Sequence, residues 1–240
     1  MALFTALAVA MGVLMIDAVL ELAFITSMVA WLHNTASGTF AVKFNDSTFD
    51  LYGIPKHFLV DQGHSSNGAA GTAIVLICIG GSLVLWLRSR PNILGAKATS
   101  FFYGAWLVIL VLGLMLTIGS LGYVFSVTNA HKGQTIDLDV ASKTGNHKYA
   151  LDTWTPQNWF PAMLKLDLAD ESQRNDIANH LRIMRGWQYN LIPLFLVQLT
   201  TTVLAILEFL ERRKTRPSSG EYDSVKRTSG EQKIVATATP

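Results

Sequence analysis

The sequence predicts a membrane all-α protein: a four-transmembrane-helix bundle carrying a small outer cap of two β-hairpins and amphipathic helices. Three observations carry that fold class. Apolar residues gather in four blocks, about 5–32, 69–87, 98–127 and 187–210, each close to the ~20 residues that cross a ~30 Å hydrocarbon core. Basic residues without acids stand in the connection 88–97 and again at 212–216, which is the charge bias of cytoplasmic loops. The two longer connections, 33–68 and 128–186, hold strand, turn and capping signals that a plain loop lacks.

Composition narrows the function classes. Half of the 240 residues are hydrophobic, and the formal net charge of +2 gives no basic face for nucleic acid. The single cysteine, Cys78, lies inside the second apolar block, so no disulfide can staple an outer domain. Any cap must hold itself together by packing.

The first block carries Asp17 and Glu21 in the stretch Met15-Ile-Asp17-Ala-Val-Leu-Glu21. Four residues apart on a helix, the acids share one face. A charged carboxylate at mid-bilayer costs about 2.5–3.5 kcal/mol, so that face is expected to turn toward other helices. No Lys or Arg precedes the block, and Asp17 interrupts it, so it is read as a retained span and not a signal peptide.

In the first outer loop, residues 39–44 and 48–52 alternate apolar and polar positions around Asn45-Asp46-Ser47, which predicts a hairpin. The same three residues form an N-x-S sequon, making Asn45 a candidate glycosylation site. The segment Asp61-Gln-Gly-His64-Ser65-Ser66-Asn67-Gly68 resembles a nucleophile elbow, but Asn67 stands where the second glycine is needed. Ser66 or Asn67 is instead expected to cap the second span. Small residues Gly71, Cys78 and Ser82, and then Gly113, Thr117 and Ser120, mark packing faces on the second and third spans.

In the second outer loop, Thr135–Val140 alternates strictly, and 148–154 is read as its partner strand across a turn at 143–146. Thr155-Pro156 opens a helix bearing Trp159 and Phe160, expected on the sheet or at the lipid headgroups. A second helix begins at Asp170, with Ile177, Leu181 and Met184 as its buried stripe, and Gly186 is expected to separate it from the fourth span. In that span Asn190, Gln198, Thr201 and Glu208 form a polar stripe. Glu208 can pair with Arg212, and Pro193 is expected to bend the helix. Residues 1–213 make the transmembrane domain; 214–240 make a polar, disordered cytoplasmic tail. Arg212, Arg213, Lys214 and Arg216 would attract anionic lipid.

The layout resembles that of tetraspan membrane proteins; the claudin, PalI and MARVEL groups share parts of it. Claudin and PalI proteins carry a cysteine pair in the first outer loop, which this chain lacks. Asp61–Gly68 and His180-Leu-Arg-Ile-Met-Arg-Gly-Trp187 are similar in flavour to uncharacterised four-span membrane proteins of filamentous fungi. That resemblance implies a multi-pass membrane protein and brings no activity.

The expected function is therefore non-enzymatic: an organising, structural or interaction protein of the plasma membrane or secretory pathway, both termini cytoplasmic, with self-association or other membrane proteins as partners. The alternative is a small proton- or cation-coupled carrier or channel subunit in which Asp17 and Glu21 face Gln198 and Thr201 as an intramembrane polar site. The six histidines all lie in the outer loops without metal-ligand spacing, so no metal or cofactor is expected.

Overall fold

The computed structural model describes residues 2–145 and 147–215. It is mostly helical, with four helices long and apolar enough to cross a membrane and one small two-stranded sheet. The tail beyond residue 215, with Arg216, and the expected turn residue Asn146 lie outside the described residues.

Helix α1 (Ala2–Asn34) buries a stripe from Leu7 through Met11, Leu14, Ala18 and Glu21 to Ile25 and Trp31. That spacing of three and four is the inward seam of a bundle helix. Its other faces present Val9, Val13, Ile16, Val19 and Leu20 outward. An apolar exterior around a packed seam is what a lipid-facing helix needs and a water-facing one avoids.

Strands β1 (Thr39–Phe44) and β2 (Ser47–Tyr52) form the expected hairpin, with Phe40 opposite Leu51 and Phe44 opposite Ser47. Asn45 and Asp46 both have positive φ, 49° and 58°, the signature of a two-residue turn whose twist matches the strands. The free edge of β1 is covered by residues 167–169: Lys43 N–H donates to Asp167 and Ala169 N–H to Ala41.

Helix α2 (Asp61–Ser89) begins earlier than the apolar block does. Ser66 does not cap it: its hydroxyl bonds back to Gln62 within the helix and accepts from Trp187 Nε1 at 2.9 Å. Of the polar residues at 61–68, Gln62 and Ser66 are buried against the rest of the fold, while Asp61, His64 and Asn67 stay exposed. Between Ala73 and Ile79 the helix widens into a π segment. Ile77 O there accepts from Trp106 Nε1 of the next helix at 3.1 Å, the use of freed backbone groups that such a bulge allows.

Helix α3 (Pro91–Ala130) is broken at Gly95, whose φ of 74° only glycine adopts freely. The long span follows that break. Its Trp106 ring lies on Gly81, where an added Cβ would sit 2.5 Å from the ring. Small residues here are the condition for two membrane helices to touch.

The expected second hairpin is absent among the described residues. Leu138–Ala141 is instead one helical turn, α4. Asp137 overrides the alternation: its carboxylate accepts from the N–H groups of Asp139 and Val140, a capping arrangement that favours a helix start. The intended partner segment pairs elsewhere. Trp154 bridges Phe58 of the first loop, and Lys56 N–H donates to Tyr149.

Helix α5 (Pro156–Met163) starts on its proline as expected. Trp159 and Phe160 are fully buried in the cap. Helix α6 (Glu171–Thr215) then runs unbroken through Gly186 and Pro193. Gly186 is no boundary: it stays helical, and Phe24 of α1 packs 3.6 Å from where a Cβ would stand. Ile177, Leu181 and Met184 are buried as their spacing requires.

Two cores result. The cap core joins Trp31, Phe40, Val42, Leu51, Tyr149, Trp154, Trp159, Phe160 and Ile177, drawing on both longer connections and on α1 and α6. The inner one joins the four long helices through Leu14, Ala18, Ile77, Trp106, Leu110 and Leu191.

Candidate functional site

The polar groups of the helix bundle fall into three levels. At the first, α1 meets α6. Glu21 is fully buried, and its Oε2 accepts from Asn190 Nδ2 at 3.0 Å. The same amide reaches Asp17 O at 3.4 Å. Asp17 is half-buried one turn away, on the same face. Glu21 Oε1 and Asp17 Oδ2 are buried with no hydrogen-bond partner among the described residues. Buried acceptors are ordinarily paired, so among the described residues these two neighbouring carboxyl groups keep unused capacity with no cation beside them.

The sequence pattern joined Asp17 and Glu21 to Gln198 and Thr201. The structure brings Asn190 to the acids and leaves the other two apart from them. Gln198 lies about 12 Å further along α6 at 1.5 Å per residue. Its Oε1 accepts from Thr117 of α3 at 2.6 Å, while its Nε2 is buried without a partner. Thr201 turns its hydroxyl back to Val197 O of its own helix. Asn190 was visible in the stripe, but only the helix pairing shows that it is the residue opposite Glu21.

The third level lies near the far end of α6. Glu208, nearly fully buried, pairs with Arg88 at 2.8 Å and with Arg212 one turn on. The Arg88 guanidinium also lies 3.9 Å from the centre of the Tyr103 ring, and Tyr103 donates its hydroxyl to Ala205 O. The Arg212 pairing was readable from spacing. Arg88 was not, because sequence alone assigns it to the loop and not to the last turn of α2. Its guanidinium can thus satisfy a carboxylate from within the bundle.

The cap holds two clefts. An apolar one of about 370 Å³ lies between α1, the start of α2 and the loop at Ile54–Val60. A polar one of about 440 Å³ lies between the ends of α3 and α5 and the outer part of α6. Asn45 is exposed at the tip of the hairpin, a position open to modification. The histidines do not converge: no group of three or more His, Cys, Asp or Glu residues that could hold a metal exists among the described residues. His180 instead stacks on Trp31 at 4.5 Å and pairs with Asp176. Trp31 Nε1 donates to the same Asp176 at 2.7 Å. The Asp61–Gly68 stretch is helical throughout, so Ser65 stands on no strand-to-helix elbow. Arg212, Arg213 and Lys214 occupy the last turns of α6, all exposed.

Comparison with known proteins returns no likeness on which to lean: no family model, no curated protein and no solved structure matches the chain.

Proposed function

We propose that this chain is a non-enzymatic, multi-pass organising protein of the plasma membrane or secretory pathway, acting through its ordered cap and by self-association. One observation supports this above the others. Both connections that lack a span fold into a single core with the protruding ends of α1 and α6. A cap so fixed to the bundle presents one constant surface, as recognition requires. In this reading both termini are cytoplasmic, in keeping with the basic residues at Arg88, Arg90 and Lys97 and at Arg212, Arg213 and Lys214. The latter cluster, with Arg216, rests against anionic lipid of the inner leaflet. Asn45 then faces the glycosylating compartment.

The test is topological and then compositional. Single cysteines at Asp46 and Ser142, in a Cys78→Ser background, should react with an impermeant reagent from outside. A cysteine at Lys97 should react only after permeabilisation. Opposite sidedness of residues 46 and 142 overturns the cap. Cross-linking in the native membrane should then trap the chain with itself or with other membrane proteins; a strictly monomeric, unaccompanied chain overturns the organising role.

A second reading rests on the unpaired carboxylate oxygens of Asp17 and Glu21. They are where a proton or small cation would sit in a carrier or channel subunit. Asp17→Asn with Glu21→Gln separates the readings: normal abundance with loss of ion or proton flux supports the carrier, and loss of folded protein supports structural bonding to Asn190.

A further inference from the structure

The polar cleft in the outer cap is built unlike the rest of the surface. Three cations border it, Lys132 after α3, Lys165 after α5 and Arg185 on α6, and no acid does. None of the three has an ion pair among the described residues, although other cations of the chain do. Like charges left together without a counter-charge repel, and a cleft with low-dielectric walls concentrates their field.

Between them lies unused hydrogen-bonding capacity. Gln157 is 6% exposed, and both its Nε2 and its Oε1 are buried without a partner. Thr128 Oγ1, 8% exposed, is likewise unpaired. The neighbouring Asn158 is already committed: its Nδ2 donates to Thr128 O at 2.9 Å and to Thr155 Oγ1 at 2.7 Å. That bond ties the end of α3 to α5, so the walls are fixed before any ligand arrives. A buried side-chain amide with both ends open is an exception among folded proteins and calls for an explanation.

We propose that this cleft binds an anionic phosphate ester that also carries hydroxyl groups. The cations supply the attraction for phosphate oxygens, and Arg185 can engage two of them at once. Whichever way the Gln157 amide is turned, it offers one N–H to an anionic oxygen and one carbonyl to a hydroxyl. A bare anion would use only half of it. Thr128 can serve either role. Tyr189 stands exposed at the rim, where α6 passes into its apolar stretch, so the cleft opens at the level of lipid headgroups. The ligand is therefore a polyol phosphate, either on a lipid or free in solution.

The experiment uses the full chain and two probes. In nanodiscs of phosphatidylcholine with phosphatidylinositol, native mass spectrometry should show phosphatidylinositol retained in preference to phosphatidylcholine. In detergent, titration with inositol 1-phosphate should saturate, and added salt should weaken it. Retention of the lipid alone assigns the membrane as the source; saturation by both assigns the headgroup chemistry as sufficient. Lys165→Ala with Arg185→Ala, both exposed and outside either core, should weaken binding at least tenfold with an unchanged melting temperature. Gln157→Leu should abolish the preference for inositol 1-phosphate over inorganic phosphate. Were Gln157→Leu to misfold, the exposed double variant decides alone. Binding of neither probe, or binding indifferent to the Lys165 and Arg185 substitutions, overturns the proposal and leaves water as the occupant.

Discussion

Trp159 illustrates how much of the cap depends on single side chains. Its ring is wholly buried between Tyr149 and Trp154, and its Nε1 donates to Gly53 O across the two loops. Trp159→Ala should cost about 3–5 kcal/mol, seen as rapid proteolysis of the cap while the spans stay folded. Trp159→Phe keeps most of the ring and strands the Gly53 carbonyl, so it should cost only about 1–3 kcal/mol. At Asp170 the effect is electrostatic. Its hydrogen bonds with the Ser172 side chain and backbone hold the carboxyl below its ordinary 3.8 at the start of α6. The folded value lies under the unfolded one, so the carboxylate stabilises the helix start at neutral pH. That contribution fades as pH falls through the folded value. The protection of amides near Ser172 against hydrogen exchange, taken relative to the intrinsic rate at each pH, should therefore fall below about pH 4. In Asp170→Asn, which still caps, that acid limb should vanish. Trp159's partner could not be read from spacing, because it is decided by which loops meet; the Ser172 bond is a local cap at the helix start expected at Asp170.

The elements show where pattern reading succeeds and where it stops. All four long apolar helices and the first hairpin were legible, since a run long enough to cross hydrocarbon and a tight turn each leave a strong local mark. The second hairpin failed because alternation at Ile136, Leu138 and Val140 also suits a capped helical turn whose apolar residues pack on the cap. Asp137 decided between them. The π segment at Ala73–Ile79 left no sequence mark at all, since it answers to Trp106 on another helix. Two substitutions act at this scale. Asp46→Gly relieves a left-handed residue in the hairpin turn, a conformation that aspartate tolerates and glycine adopts freely. It should raise the unfolding temperature of the cap, and it leaves the Asn45 sequon intact. Gly81→Ala drives a methyl into the Trp106 ring and should destabilise the α2–α3 contact by about 1–3 kcal/mol, measured by thermal unfolding in detergent.

For the molecule as a whole, the polar contacts between spans matter more than their number. Glu208 is buried between two arginines, so Arg88→Leu leaves it only the more exposed Arg212 and should cost less than the about 3–5 kcal/mol of a buried charge stripped of every partner. Arg88→Leu with Glu208→Leu should recover most of that loss. A double-mutant cycle on detergent melting temperatures checks this, and additive losses would show that the pair is not coupled. The candidate intramembrane site was half legible. Helical spacing placed Asp17 with Glu21 and named the stripe on α6. Only the pairing of the helices showed that Asn190 is the residue the acids meet and that Gln198 turns to Thr117.

Helix α6 has a mechanical consequence. At 1.5 Å per residue its 45 residues reach about 68 Å, from within the cap to the basic cluster at Arg212–Lys214. A rod seated in both cores cannot swivel at one end and stay still at the other. Any ligand that tips the cap would therefore pull on the basic end of the same helix, and Pro193, which removes one backbone hydrogen bond between them, sets how much of the stroke is passed on.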